Sequence, residues 1–275
     1  MPIVNRVADL AAEITEWRHD LHAHPELQYD VERTAGLVAE KLEAFGCDSV
    51  VPGFGRTGVV GVIHGRKGKG DKVIGLRADM DALPIEEETG LPYKSTNPGK
   101  MHACGHDGHT AMLLGAARHL AETRNFAGTV HFIFQPAEEN EGGGRAMIAD
   151  GLFDRFPVEA VYGMHNWPGL AVGEFALRPG PMLAAFDLFE ITVTGKGAHA
   201  GMPHQAADPV IAAAQIALAL QTVVSRNTHP LDSAVLSITQ IHGGDTWNVL
   251  PNEVVLRGTT RAFKPEVQDA IERAM

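Results

Sequence analysis

The order of its hydrophobic segments constrains the fold of this chain more than any other feature. Between residues 57 and 166, short apolar runs rich in valine, isoleucine and phenylalanine alternate with stretches of helical spacing. The predicted strands are 57–65, 72–79, 128–136 and 160–166, and the predicted helices between them are 108–123 and 143–150. Strands that alternate with helices indicate an α/β layer, so we predict a mostly parallel sheet flanked by helices.

The pattern changes after the segment RPGPM (178–182), where proline and glycine interrupt it. Two further helices precede the sheet, at about 7–21 and 31–45. Beyond the break we predict strands at 187–195, 233–241 and 252–263, a helix at 208–224 and a last helix from 264. This order is typical of a smaller α+β domain. We therefore predict two domains, 1–183 and 184–275.

The composition excludes several classes of partner. The 275 residues carry 34 acidic and 23 basic side chains, for a formal charge of −11, which argues against binding to nucleic acid. No segment approaches the ~18 apolar residues of a membrane helix, and the first residues lack the pattern of a signal peptide. Two cysteines do not make a disulfide framework. We expect a cytoplasmic protein with reduced thiols and no membrane partner.

The segment MHACGHDGH (101–109) concentrates side chains that bind metals. Cys104 and His106 are two residues apart, and a two-residue step in an extended chain points both side chains the same way. Thiolate and imidazole are ligands that zinc and neighbouring metals accept. The segment therefore predicts half of a metal site.

Polar residues that follow the predicted strands are candidates for the other half. Functional groups of open α/β sheets gather just beyond the carboxyl ends of strands. Acids or histidines occupy such positions after three of the strands, namely Asp79, Asp81, Glu138, Glu139 and His165. We expect them to converge with the segment 101–109.

The pair Glu138–Glu139 is the second strongest signal. Adjacent carboxylates repel each other unless a cation lies beside them, and a metal supplies that charge. Because adjacent residues point in different directions, one can bind metal while the other acts on water as a general base. Taken alone, the pair also fits two solvated loop acids. Asp79 is interpreted as an acid that orients a histidine, and a role as ligand stays open.

The second predicted domain adds three polar candidates. His199 lies in the glycine-rich turn GKGAHAGMPH, where an imidazole can bind an oxyanion or simply face solvent. Asn248 and Arg261 lie beside apolar strands, and Arg261 is either a carboxylate clamp or a charge at a strand edge. His22 and His24, at the end of the first helix, are interpreted as structural.

Several motifs together resemble one known family. They are RHDLHAHPEL, LRADMDALPI, MHACGHDGHTAMLLGAA, VHFIFQPAEE, GMHNWP and TGKGAHAGMPH. In this order they are similar to the metal-dependent amidohydrolases of the aminoacylase and carboxypeptidase group. The branch they resemble most is that of hippurate hydrolases and auxin-conjugate hydrolases, and the match runs through essentially the whole chain.

The resemblance implies two divalent metal ions per subunit, with manganese, zinc or cobalt as the metal. It implies that Cys104, His106, Glu139 and His165 are ligands and that Glu138 is the general base. The implied reaction is hydrolysis of the amide bond of N-acyl amino acids by a metal-activated water.

The resemblance also implies a role for the second domain as an inserted lid and dimerisation domain. His199 and Asn248 are then expected to bind substrate, with Arg261 near that polar cluster, and Asp79 and Asp81 to support the metal ligands. A homodimer through this domain is the expected assembly.

One departure from the family pattern leads to a further expectation. Chains of this family continue beyond the lid, return to the catalytic domain and supply another metal-binding histidine, whereas this sequence stops at Met275. We therefore expect the C-terminal part of the catalytic domain to be missing and the 275-residue chain to be inactive or much weakened.

Two rival interpretations stay open. In one, Cys104 is the nucleophile of a thiolate enzyme with a histidine as base. In the other, a truncated and catalytically impaired chain acts only as a dimerisation or binding module.

Overall fold

The computed structural model describes residues 4–67, 70–139 and 141–275. The chain divides into two compact units, Met1–Gly173 and Glu174–Met275. The predicted domain boundary, between residues 183 and 184, lies slightly further along the chain. Each unit is described by itself.

The first unit contains six helices and five strands among the described residues. The helices are α1 (Asn5–Asp9), α2 (Ala11–Ala23), α3 (Glu32–Ala44), α4 (His106–Thr123), α5 (Gly143–Ala149) and α6 (Leu152–Arg155). The strands are β1 (Ser49–Phe54), β2 (Gly58–His64), β3 (Val73–Asp79), β4 (Thr129–Gln135) and β5 (Ala160–Gly163).

The sheet of the first unit is mixed, which corrects the prediction of a mostly parallel sheet. Its strand order is β1-β2-β4-β3-β5. The pairs β3–β4 and β3–β5 are parallel, whereas β1–β2 and β2–β4 are antiparallel. The connection between β1 and β2 spans only residues 55–57. Since parallel neighbours need a crossover of a dozen or more residues, so short a connection forces these two strands to run in opposite directions.

Strand β1 is the element that sequence reasoning missed. Its sequence, SVVPGF, contains Pro52 and Gly53, which usually argue against a strand. The strand lies at the edge of the sheet, and its register shifts between Pro52 and Phe54. Edge positions and irregularities are where a sheet tolerates proline, because no ladder hydrogen bond is lost there.

The core lies on both faces of this sheet, as the two-residue repeat of strands requires. Val59 and Phe132 face the cluster formed with α2, α3 and α4, and neither is exposed to solvent. Their neighbours Val60 and Ile133 face the opposite cluster, which includes residues of α5 and α6. Helices thus cover both faces, as predicted.

The second unit is a small α+β structure with separate antiparallel sheets. Its strands are β6 (Ala185–Thr194), β7 (Ala198–His199), β8 (Ala234–His242), β9 (Val249–Leu250) and β10 (Glu253–Ala262). Its helices are a 3-10 helix (Pro203–Gln205), α7 (Pro209–Asn227) and α8 (Pro265–Ala274). The three long strands pair in the order β6-β10-β8, and β7 pairs with β9.

Helix α7 is long and apolar enough to cross a membrane by length and composition alone, contrary to the expectation from sequence that no segment qualifies. In this unit one of its faces packs beside the sheet, through Leu220 and Val223, in a cluster with Leu236 of β8. The helix begins where Asp208 caps it, since that carboxylate accepts hydrogen bonds from the amides of Val210 and Ile211.

Candidate metal centre

The predicted metal ligands of the first unit meet at one edge of its sheet. Strand β3 ends at Asp79, and the pair Glu138–Glu139 follows β4 closely. His165 follows β5, and α4 begins at His106. Because β3, β4 and β5 are parallel, their carboxyl ends lie at the same edge, where ligands of α/β sheets bind.

His106 lies at the centre of this cluster and is completely buried. Its Nδ1 lies 2.7 Å from the carbonyl oxygen of Asp81 and donates to it. In the neutral ring, Nε2 therefore carries the lone pair. Among the residues that the structure describes, no group forms a hydrogen bond with this buried Nε2. Instead it faces carboxylate oxygens of Asp79, Glu138 and Glu139 at 3.7, 3.9 and 4.0 Å.

A lone pair that faces three acids is an arrangement suited to a cation. Burial lowers the pKa of His106, but contacts with Asp81 and Cys104 and the charge of Asp79 outweigh it and raise that pKa to about 11. The pocket therefore attracts positive charge at Nε2, which a metal supplies as well as a proton does. Three sets of potential ligands share this histidine: Cys104, His106 and His165; Asp79, His106 and His109; His106, Glu138 and Glu139.

Cys104 and His165 form the outer side of the cluster. The Sγ of Cys104 lies 3.4 Å from Nε2 of His165. Nδ1 of His165 donates to the carbonyl oxygen of Asn166 at 2.6 Å, so Nε2 is the atom available to a metal. Imidazole and thiolate ligands suit transition metals such as zinc better than magnesium or calcium.

Asp81 organises the cluster without facing its centre. Its carboxylate accepts hydrogen bonds from the amides of Glu138 and Glu139 at 2.9 and 3.0 Å, while its carbonyl oxygen holds His106. The side chain is completely buried. One residue thus fixes the direction of a histidine and of both acids.

Asp79 is held as a carboxylate by two cationic or donating neighbours. It accepts a hydrogen bond from His109 at 2.6 Å and another from Arg77 at 2.7 Å. Burial acts to raise the pKa of Asp79, but the bond to His109 and the charge of Arg77 hold it well below its usual range. Asp79 thus orients His109, and its predicted role in supporting a metal ligand stays a prediction.

Glu138 has the environment of a proton-transfer group. Its side chain is 40% exposed, so water reaches it, whereas that of Glu139 is 20% exposed. Burial, and then the negative charge of Asp79 and of Glu139, raise the pKa of Glu138. A carboxyl group whose pKa lies closer to the working pH can serve as the base in one step and as the acid in the next.

Two residues at the site were assigned no role from the sequence. His109 lies one helical turn beyond His106 on α4, and their ring centroids are 5.3 Å apart. The three-residue spacing within GHDGH places both rings on one face of a helix, and it is the signal that finds His109. Asn166 has no such signal, because its contacts with Gly105 and His109 join residues far apart in the sequence.

The structure brings two of the three candidates of the second unit together. His199 pairs with Val249 in the β7–β9 ribbon, and the amide of Ala200 donates to the carbonyl oxygen of Asn248. Arg261 is not part of this cluster, because it lies near the other end of β10 and stacks on Phe186. At roughly 3.3 Å per strand residue, the first residues of β10, which adjoin the ribbon, lie about 26 Å from Arg261.

Comparison with known proteins identifies the family. Residues 75–248 match the Peptidase family M20/M25/M40. The chain belongs to this family. It is 47% identical over 272 residues to hippurate hydrolase of Campylobacter jejuni, covering 99% of this chain and 70% of that protein. It is 46% identical over 268 residues to N-acetyl-L-cysteine deacetylase of Bacillus subtilis, covering 97% and 63%.

A solved structure is similar to this chain over nearly its full length. It is a Bacillus subtilis protein described as a dinuclear metal binding peptidase from the M20 family. The TM-score is 0.74 at 39% sequence identity, covering 97% of this chain and 68% of that one. The family and the enzyme class expected from the sequence, metal-dependent amidohydrolases acting on linear amides, are therefore confirmed.

Proposed function

We propose that this chain carries the dinuclear metal centre of an enzyme that hydrolyses the amide bond of N-acyl amino acids. The printed names of its relatives describe this chemistry, since they include a hippurate hydrolase, an N-acetyl-L-cysteine deacetylase and an IAA-amino acid hydrolase. They differ in the acyl group, and the proposal covers benzoyl and acetyl substrates alike.

Cys104, His106, Glu139 and His165 would hold the two divalent ions. The observation that carries this proposal is the buried lone pair of His106, which faces a ring of carboxylates. When bound, the ions supply positive charge that polarises the amide carbonyl and makes a nearby water more acidic.

Glu138 would carry the proton through the reaction. It takes a proton from the attacking water and returns it to the nitrogen of the departing amino acid. Its raised pKa supports both steps, because the carboxylate must accept the proton and then release it. The bonds from the amides of Glu138 and Glu139 to Asp81 keep the two neighbouring acids aimed in different directions.

The second unit would bind the substrate and pair with a second copy of the chain. We propose His199 and Asn248 as groups that contact the polar part of the substrate, on the strength of their proximity in the β7–β9 ribbon. Arg261, which stacks on Phe186 away from this ribbon, is not assigned to the same group of substrate contacts. The expected homodimer and the cytoplasmic location stay predictions.

The proposal is tested by comparing Glu138→Gln with Glu141→Gln, which changes an exposed acid three residues away. Loaded with Co²⁺ or Mn²⁺, a full-length protein that carries this sequence and each of its variants are assayed for release of amino acid from benzoyl-glycine and N-acetyl amino acids. We expect Glu138→Gln to bind metal normally but to lose roughly a hundredfold or more in kcat. Glu141→Gln should match the wild type. Turnover that survives chelation, or that survives Glu138→Gln, would refute the mechanism.

A thiolate enzyme is the second candidate, because Cys104 and His165 also lie at the separation of a nucleophile and its base. Alkylation with and without chelator separates the two. A metal ligand is protected until the metal is removed, whereas a nucleophile reacts in both conditions. Cys47 is the internal reference, because burial raises the pKa of its thiol to about 11 and it should react slowly throughout.

A further inference from the structure

Asn166 makes three polar contacts with the residues of the metal centre. Its amide donates to Nε2 of His109 at 3.0 Å, and its carbonyl oxygen accepts from Nδ1 of His165 at 2.6 Å. Its side-chain Nδ2 donates to the carbonyl oxygen of Gly105 at 3.0 Å. Gly105 is the residue between Cys104 and His106, so Asn166 touches both sides of the cluster.

The two backbone contacts set the proton positions of two imidazoles. Since Nδ1 of His165 donates to a carbonyl oxygen, its Nε2 carries the lone pair that faces Cys104. Since Nε2 of His109 accepts from an amide, its Nδ1 carries the proton that is donated to Asp79. His109 is therefore a neutral residue with both ring nitrogens engaged.

The side chain of Asn166 also fits a space that two glycines leave open. Gly105 precedes α4 with a φ of +86°, and a Cβ there would lie 2.3 Å from Nδ2 of Asn166. A Cβ at Gly108 would lie 3.2 Å from the same atom. The amide group is thus held between the turn and the first residues of the helix.

We propose that Asn166 is a positioning residue of the metal centre. Its side-chain amide holds the Cys104–Gly105–His106 turn at a fixed separation from His165, so that thiolate and imidazole reach the metals in one geometry. This inference rests on the proposed function, in which Cys104, His106 and His165 are ligands. Partners that orient metal ligands change affinity by about tenfold to a hundredfold when they are lost.

Asn97→Ala supplies a matched control for Asn166→Ala. The side chain of Asn97 makes the same kind of bond, from Nδ2 to the carbonyl oxygen of Pro25, at the same distance of 3.0 Å. Loss of either bond should lower the free energy of unfolding by a similar amount. If the role of Asn166 is limited to folding, Asn166→Ala and Asn97→Ala should be alike in Co²⁺ affinity and in absorption spectrum.

The experiment is a titration of the metal-free chain with Co²⁺, followed by absorption spectroscopy. Wild type should give a thiolate-to-cobalt band that Cys104→Ser removes. We expect Asn166→Ala to weaken Co²⁺ binding by about tenfold or more and to shift the visible bands. Asn97→Ala should retain both the affinity and the spectrum of the wild type.

A second variant removes the donor while keeping the size of the side chain. In Asn166→Asp the carboxylate cannot donate to Gly105, so the variant should resemble Asn166→Ala in affinity and spectrum; it also serves if the alanine variant does not fold. Wild-type affinity and bands in either folded variant would overturn the role of Asn166 alone. A wild-type chain without the thiolate band would overturn the proposed metal centre as well.

Discussion

Replacing Asp81 with asparagine tests how the loop after β4 is held in place. The carboxylate is completely buried and accepts one hydrogen bond from the amide of Glu138 and one from that of Glu139, at 2.9 and 3.0 Å. Asparagine has nearly the same shape, but only its oxygen accepts a hydrogen bond. Its NH₂ group would face the second backbone amide, a donor against a donor.

The expected cost follows from these two bonds. A hydrogen bond to a charged group contributes about 1.5–3 kcal/mol, and a buried amide left without a partner costs about 1–3 kcal/mol. Loss of one negative charge beside Asp79 and Glu139 offsets part of this sum. We therefore expect Asp81→Asn to lower the free energy of unfolding of the metal-free chain by about 2–4 kcal/mol.

Urea denaturation monitored by tryptophan fluorescence measures this change. Trp17 is 7% exposed and reports on the first unit, whereas Trp167 and Trp247 are exposed at 61% and 103% and should change little. The control is Asp9→Asn, at an exposed position of α1, which should shift stability by less than about 0.5 kcal/mol. A similarly small shift for Asp81→Asn would refute the view that its carboxylate holds the loop.

Two further predictions concern packing and pH. A Cβ at Gly143 would lie 1.8 Å from the carbonyl oxygen of Pro136, so Gly143→Ala should destabilise the chain by about 1–3 kcal/mol. Apart from the two chain neighbours and the local helix backbone, no atom lies within 4 Å of a Cβ built at Gly36 in α3, so Gly36→Ala should instead stabilise the chain by about 0.5–1 kcal/mol. Equal melting temperatures for the two variants would contradict both predictions. His22 donates to two buried carboxylates, and the hydrogen bond to Asp107 chiefly raises its pKa. The stabilisation of the folded chain by protonated His22 is complete below about pH 6.5, which is the histidine pKa in the unfolded chain. It is lost as pH rises through the higher pKa of His22 in the folded chain. In urea titrations the difference in free energy of unfolding between wild type and His22→Gln should therefore narrow as pH rises above about 6.5, and a constant difference would count against this role of His22.

The fold of the first unit was predictable wherever local pattern decides structure. The hydrophobic run of β4 and the helical spacing of α3 and α4 specify their elements within a few residues. Strand direction was not predictable in the same way. Strand β2 runs antiparallel to β1 because the connection between them is short, and antiparallel to β4 through pairing between distant parts of the chain. The hydrophobic pattern within each strand encodes neither direction.

The candidate site was likewise predictable only in part. Residue type and spacing within MHACGHDGH and PAEE suffice to propose ligands and a base, because few residue types bind metal or transfer protons. The direction of each side chain depends instead on contacts such as that between Asp81 and His106. Such contacts join residues more than twenty positions apart.

The sequence by itself determined which chemical groups are available and that they follow the ends of β strands. Only the tertiary structure decided which of them face one another, that Asp81 and Asn166 form hydrogen bonds with the segments that carry the proposed ligands, and that Arg261 lies away from His199 and Asn248. The physical reason is that a motif fixes composition and local conformation, whereas tautomers, burial and carboxylate charge depend on neighbours brought together by folding.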